Sequence, residues 1–157
     1  MGSGKSTVGQ RLSTLSGYPL IDTDTLIESN QQQSIRSIFQ QHGEPYFRQI
    51  EHHICSTLSQ YPPTIISTGG GIVENNQNIR HLKSIGTLYY LYCTLSTIRS
   101  RLPNDHTRPL FKSNNSDLFH YRHSIYTTIS EQTIDTNNQS PDIIASQIWK
   151  IHQTHYQ

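Results

Sequence analysis

Met1-Gly2-Ser3-Gly4-Lys5-Ser6-Thr7 opens the chain. Gly-Ser-Gly-Lys-Ser-Thr is the back half of a phosphate-binding loop, and it decides the fold. Glycines let bare backbone N–H groups close around phosphate oxygens; Lys5 reaches the terminal phosphates, and Ser6 offers its hydroxyl to Mg²⁺. An amphipathic helix with Val8, Leu12 and Leu15 on its apolar side follows at once, as such a loop requires. The residues Gly2, Ser3, Gly4, Lys5, Ser6 and Thr7 are therefore candidate nucleotide ligands, with a nucleoside triphosphate and Mg²⁺ implied. The full pattern G-x-x-x-x-G-K-[ST] places its first Gly ahead of Met1, together with the strand that feeds the loop. Met1 is accordingly expected to be an internal methionine of a longer chain, with a fragment or a poorly folding product as the alternatives.

Outward from the loop, short apolar runs alternate with longer amphipathic stretches, which predicts an α/β fold with a parallel sheet. Strands are expected at Pro19–Asp22, Thr64–Thr68, Thr87–Cys93 and Thr133–Thr136. The helices expected are Lys5–Leu15, Thr25–Asn30, Ser34–His42, Pro45–Gln60, Asn76–Ser84, Leu95–Arg101 and Leu118–Gln132. A last helix has Ser140 as N-cap, Pro141 at its first position and Asp142 favouring its dipole. Gly43 is the expected stop before Pro45. Pro103–Asn115 has no periodicity and reads as a lid loop, about 103–117.

The 157 residues suit one domain, 1–157. A formal net charge of +1 means that an acidic ligand must be held by a few placed cations. No basic run supports nucleic-acid binding, and no apolar run suits a membrane span. Cys55 and Cys93 read as buried thiols in a reducing cytoplasm. His52-His53 with Cys55 reads as helix surface rather than a metal cluster, because neighbouring helical positions point apart.

Four constellations carry chemistry. Asp22 and Asp24 sit at the carboxyl end of an expected strand, on one side of it by the period of two. There, one carboxylate can serve Mg²⁺ through water and the other can accept a hydroxyl proton; Asp24 as a plain helix N-cap is the alternative. Arg48 and Glu51 share a helix face, either as a surface ion pair or as a guanidinium aimed by a carboxylate at an acidic substrate. Ser67-Thr68-Gly69-Gly70-Gly71 leaves a strand as a flexible turn or as a backbone that touches ligand. Arg108, in the lid-like loop, is a solvated charge or a group that closes onto a transferring phosphate.

Taken together, these residues resemble the shikimate kinase family. The resemblance runs from Met1 to about Gln153, through the loop, Ile21-Asp22-Thr23-Asp24, and Gly43-Glu44-Pro45-Tyr46-Phe47-Arg48-Gln49-Ile50-Glu51. It continues through Ser67-Thr68-Gly69-Gly70-Gly71, Arg101, Arg108-Pro109-Leu110, Arg122-x-x-x-Tyr126 and Asp135-Thr136-Asn137. It implies a P-loop kinase fold of strand order 2-3-1-4-5, with strand 1 absent from this chain. The implied activity moves the γ-phosphoryl of ATP to the shikimate 3-hydroxyl, giving shikimate 3-phosphate and ADP in chorismate and aromatic amino-acid biosynthesis.

The same resemblance assigns roles. Asp24 would be the base and hold ring hydroxyls. Arg48, Arg122 and Gly70 would hold the substrate, with Glu51 orienting Arg48 and Phe39 walling the pocket. Lys5 and Arg108 would take charge on the transferring group. Ser6, Asp22 and Ser67 would serve Mg²⁺. Arg101 would stack on adenine, beside a turn where Asn138 and Gln139 stand in place of the family's Arg. A cytoplasmic monomer, with no nucleic-acid or membrane partner, is implied as well. A gluconate-kinase-like enzyme, or an amino-terminally truncated, non-catalytic shikimate-kinase-like protein, are the alternatives.

Overall fold

The computed structural model describes residues 2–101 and 115–156. The elements run α1 (Lys5–Ser16), β1 (Leu20–Asp22), α2 (Thr23–Gln31), α3 (Ile35–Thr57), β2 (Ile65–Ser67), α4 (Asn76–Ile85), β3 (Tyr89–Tyr92), α5 (Leu95–Arg101), α6 (Asn115–Ile129), β4 (Gln132–Asp135) and α7 (Pro141–Tyr156). A short 3₁₀ turn, Ile72–Glu74, leaves the glycine triplet. Most of the expected lid lies outside the described residues, and so does Arg108.

All strand pairing is parallel. β1 pairs with β2 in the register Leu20↔Ile65, Ile21↔Ile66, Asp22↔Ser67. β3 pairs with β4, Tyr89 opposite Gln132 and Tyr92 opposite Asp135. These pairs form the two halves of the expected order, and among the described residues no strand joins them. A cavity of about 400 Å³ separates them, lined by Gly9, Leu12, Ile66, Tyr89, Leu91 and Ile148 among others. Of the four β3 residues only Leu91 is buried, whereas the sequence pattern predicts a strand covered on both faces.

Three apolar clusters hold the helices in place. Val8 of α1 meets Leu91, Ile134, Ile144, Ala145 and Ile148, so α7 clamps the phosphate-loop helix onto the β3–β4 pair. Ile27 packs α2 against Ile38, Phe47, Ile50 and Ile54 of α3. Cys55, Leu58, Ile72, Val73 and Leu82 bind α3 and α4 around the 3₁₀ turn. Burying each of these aliphatics removes apolar surface worth about 1.5–3 kcal/mol, which fixes the ends of α2, α3 and the glycine turn relative to one another.

Several boundaries depart from expectation for local reasons. α2 begins at Thr23, not Thr25, because Asp22 and not Asp24 is its cap. α3 runs from Ile35 to Thr57 through Gly43, whose φ of 78° and ψ of 176° mark the expected break between two helical pieces. α6 ends at Ile129 instead of Gln132, since Gln132 is already paired in β4. Thr136 lies past β4, yet its backbone and hydroxyl both donate to the Tyr92 carbonyl, and it is fully buried. Ser140 caps α7 by accepting from the Ile143 N–H at 3.3 Å.

Candidate active site

The phosphate loop is held open by its glycines. Gly2 and Gly4 have φ of 68° and 84°, in the left-handed region that side chains disfavour. Gly4 is the N-cap of α1 and offers no side chain, so the first-turn N–H groups of Lys5, Ser6 and Thr7 have no side-chain cap. A twelve-residue helix whose N-cap adds no side chain carries partial positive charge at that end and suits phosphate. Ser3 is buried at the base of this loop.

The β1–β2 register brings the second feature. Asp22 and Ser67 face each other across the pair, and the Ser67 hydroxyl donates to Asp22 Oδ2 at 3.0 Å. The Ser6 hydroxyl donates to that same oxygen at 2.7 Å. One carboxylate and two hydroxyls from three segments thus converge. These are hard oxygen donors, few enough to leave waters on a small divalent cation, which is how Mg²⁺ is usually held beside phosphates. Among the described residues no cluster of His, Cys, Asp and Glu forms another metal site. His52 Nδ1 instead lies 2.7 Å from Asn78 Oδ1, and Cys55 is wholly buried and in no disulfide.

Asp22 does a second task with its other oxygen. Oδ1 accepts the Asp24 N–H at 3.0 Å and the Thr25 N–H at 3.4 Å. The capping role weighed for Asp24 therefore belongs to its neighbour. Asp24 sits in the first turn of α2, and the two carboxylates are brought to one end by a strand-to-helix turn rather than by strand periodicity. The fully buried Thr23 accepts the Gly69 N–H at 2.9 Å, pinning the glycine triplet against α2.

The glycine triplet explains itself by what a side chain would strike. A Cβ on Gly69 would lie 2.5 Å from Asp24 Oδ1 and 3.3 Å from Glu51 Oε1. A Cβ on Gly71 would fall inside the Arg48 guanidinium. Gly69 and Gly71 thus let Asp24, Glu51 and Arg48 close on one spot. Gly70 contributes its carbonyl, which accepts from the Tyr126 hydroxyl; burial pushes that phenol up to about 12.

Arg48 is the hub. Its Nη1 donates to Glu51 Oε2 at 2.7 Å, and Nε and Nη2 donate to Glu44 Oε1 at 3.2 and 2.9 Å. The guanidinium carbon stands 5.3 Å from the centre of the Phe47 ring, within reach of a cation–π attraction. Phe39 packs against Phe47, ring centres 4.8 Å apart and planes tilted by 38°, and so borders the site through its neighbour. Burial works to lower the Arg48 pKa, but Glu51, Glu44 and Glu74 together raise it. The buried Glu51 is pushed up by desolvation, against the pull of Arg48.

Arg122 arrives from α6 and is 9% exposed. Its Nε and Nη2 both donate to Glu74 Oε1, at 2.9 and 2.7 Å. Glu74 Oε2 lies 3.5 Å from Arg48 Nη2. One carboxylate therefore spans the two guanidiniums. Helical spacing puts Glu44 and Glu51 within reach of Arg48, at i−4 and i+3 from it. Nothing in the sequence marks Glu74 except that it ends the turn after the glycines.

On the nucleotide side, Arg101 Nη2 donates to the Thr136 carbonyl at 2.7 Å, and Nη1 to the Gly2 carbonyl at 3.2 Å. It ties α5 to the phosphate loop and to the turn after β4. In that turn Gln139 Nε2 folds back onto the Asp135 carbonyl at 2.9 Å, and Asn138 adopts a positive φ of 53°.

A phosphate loop on an α/β sheet, with a carboxylate–arginine pocket beside it, defines a small P-loop kinase, a phosphotransferase. The family model for shikimate kinase matches residues 1–153. Shikimate kinase from Bacillus cytotoxicus is 42% identical over 152 residues, covering 94% of this chain and 91% of that one. The enzyme of Bacillus cereus strain AH187 is 41% identical, covering 89% and 86%. Among solved structures, shikimate kinase from Acinetobacter baumannii in complex with shikimate superposes with a TM-score of 0.94 at 31% identity, over 99% of this chain and 90% of that one. The Aquifex aeolicus enzyme gives 0.83 at 30% identity, over 98% and 92%. The chain belongs to the shikimate kinase family.

Proposed function

We propose that this chain transfers the γ-phosphoryl of ATP to the 3-hydroxyl of shikimate, giving shikimate 3-phosphate and ADP. The observation that carries the reading is the spacing of Arg48 and Arg122, which a single carboxylate, that of Glu74, spans. A small hydroxylated acid offers one such carboxylate. Beside it stands Asp24, on the same helix turn that Asp22 links to the phosphate loop.

Arg48 and Arg122 hold the substrate carboxylate, with Glu51 fixing the Arg48 fork and the Gly70 backbone and Phe39 bounding the pocket. Asp24 holds ring hydroxyls and accepts the proton of the attacking one. Lys5 and the first-turn N–H groups of α1 face the phosphates, and Arg108 is assigned to the transferring group. Arg101 and the Gln139 turn border the adenine. Ser6 would hold Mg²⁺ directly, and Asp22 and Ser67 through water; when bound, the ion would neutralise phosphate charge. Phosphoryl transfer asks little covalent chemistry of the protein, so positioning and charge neutralisation supply most of the rate.

The organisation that goes with this reading is one domain, 1–157, with a lid at about 103–117, acting as a cytoplasmic monomer without nucleic-acid or membrane partners. Among the described residues no helix is long and apolar enough to cross a membrane. A coupled ADP-release assay tests the activity. ADP release that is saturable in shikimate and absent without it is expected. ADP release indifferent to shikimate, or none at all, would overturn the reading in favour of a non-catalytic relative.

A further inference from the structure

The substrate pocket meets an acid with a charge problem. Two guanidiniums, Arg48 and Arg122, stand among the carboxylates of Glu44, Glu51 and Glu74. Asp24 adds a fourth, close enough to Glu51 to help raise its pKa. Among the described residues the three glutamates already outnumber the two guanidiniums they hold, and an incoming anion adds to that crowding. Like charges packed this closely repel by an amount that matters even at a surface dielectric.

Of these carboxylates, Glu74 stands where an incoming one must go. It takes the Nε and Nη2 donors of Arg122, the adjacent pair that receives carboxylates side-on. Its other oxygen reaches toward Arg48 Nη2. Arg48 keeps Glu44 and Glu51 whatever Glu74 does. Glu74 also has room to leave: its side chain is 26% exposed, against 3% for Glu51. It ends a 3₁₀ turn of three residues rather than sitting inside a long helix.

We propose that Glu74 is a built-in stand-in for the substrate carboxylate. In the free protein it holds Arg122 folded toward Arg48, in the geometry that receives an acid. On binding it yields those donors, so association exchanges one carboxylate for another. Glu74 is thus a positioning residue that sets affinity for the acid group: it lowers the reorganisation needed of the arginines but competes with the ligand for them. The inference rests on the shikimate reading above and extends it to a residue that none of the sequence motifs contains.

Glu74→Gln separates the two effects, because its amide oxygen still accepts from Arg122 while the competing charge is gone. Calorimetric titration with shikimate, and with the carboxamide made from it, is the test. The variant is expected to bind shikimate roughly fivefold more tightly than the parent chain, the scale of a partly exposed ion pair. Affinity for the carboxamide should not rise. In the coupled assay the change should fall on the KM for shikimate and not on that for ATP. Glu74→Ala, which deletes no core atoms, is the second variant and should also favour the acid over the amide. Equal or weaker shikimate binding by a variant that melts like the parent would overturn the proposal, as would an equal gain for acid and amide. A parent chain that binds neither ligand overturns the shikimate reading and this proposal with it, whereas normal parent binding with unmoved variants overturns this proposal alone.

Discussion

Asp22 caps the helix on which Asp24 rides: Asp22 Oδ1 accepts the Asp24 N–H at 3.0 Å. The two acids, two residues apart, are thereby given different work. Asp22 is committed to structure and to the hydroxyls of Ser6 and Ser67. Asp24, in the first turn of that helix, has its carboxylate beside the glycine triplet and Glu51. Exchanging either acid for its amide should therefore have separate signatures. Asp24→Asn should leave the melting temperature within a degree or two and cut kcat by about 10²–10⁴-fold, the usual worth of a positioned base. Asp22→Asn keeps a capping oxygen but turns the acceptor of the Ser6 and Ser67 hydroxyls into a donor, so it should cost about 1 kcal/mol of stability and raise the Mg²⁺ concentration needed for half-maximal rate. Equal loss of stability in both variants would contradict this division.

The Arg48–Glu51 pair supports both stability and binding, and a double variant tells the two apart. Arg48→Ala strands a carboxylate that is only 3% exposed. Breaking a buried pair by removing one member costs about 3–5 kcal/mol, and the 22% exposure of Arg48 places this case at the lower end. The KM for shikimate should also rise by about tenfold or more, with the KM for ATP little changed. Adding Glu51→Gln to Arg48→Ala removes the stranded charge. Urea unfolding should then recover most of the lost stability, while the KM for shikimate stays high. Recovery of both, or loss of ATP binding in equal measure, would refute the assigned role.

Gly71 offers a test of close packing rather than charge. An added Cβ would fall inside the Arg48 guanidinium, so Gly71→Ala must push that side chain off Glu51. We expect a raised KM for shikimate, by about tenfold, and a lower melting temperature. Gly86→Ala is the matched control. That glycine is extended, with φ of −179°, and a Cβ there meets nothing within 4 Å. It should be neutral or stabilise by about 0.4–1 kcal/mol through the unfolded chain.

Much of the site was legible because it rests on local chemistry. Gly2 and Gly4, the strand leading to Asp22, and the helical spacing of Arg48 and Glu51 each obey a short-range rule. The pairing of Ser67 with Asp22 followed once two parallel strands were placed with their carboxyl ends together. What escaped the sequence depends on how separate segments settle. The start of α2 moved to Thr23 because Asp22 had a better use as cap than Asp24. The end of α6 moved to Ile129 because β4 claimed Gln132 for pairing. Glu74 was invisible because its place between two arginines depends on where α3, α6 and the 3₁₀ turn meet. The β1–β2 and β3–β4 pairs were likewise readable as alternating elements. How little of β3 would be buried was not, since that depends on what lies across the cavity facing Ile66.

The raised pKa of Glu51 yields a prediction with a definite sign. Burial lifts it above the ordinary 4.5, although Arg48 pulls the other way. A carboxyl that binds its proton more tightly in the folded state than in the unfolded one stabilises the fold most below the unfolded value. That contribution is lost as pH rises through the folded value. Glu51→Gln keeps the shape and cannot titrate. The stability of the parent chain relative to Glu51→Gln should therefore decline as pH climbs from about 4.5 through the raised pKa, then level off once Glu51 is ionised in both states. Urea midpoints for the two chains, measured in half-unit steps between pH 4 and 8, provide the comparison. The arginine contact sets a limit on the slope, because ionised Glu51 regains part of its lost hydration from Arg48 Nη1 at 2.7 Å. In the Arg48→Ala background that compensation is absent, so the same comparison should steepen and shift to higher pH. A parent-minus-variant difference that stays flat across the range, or that grows with pH, would mean that Arg48 outweighs burial and that Glu51 ionises below its ordinary value.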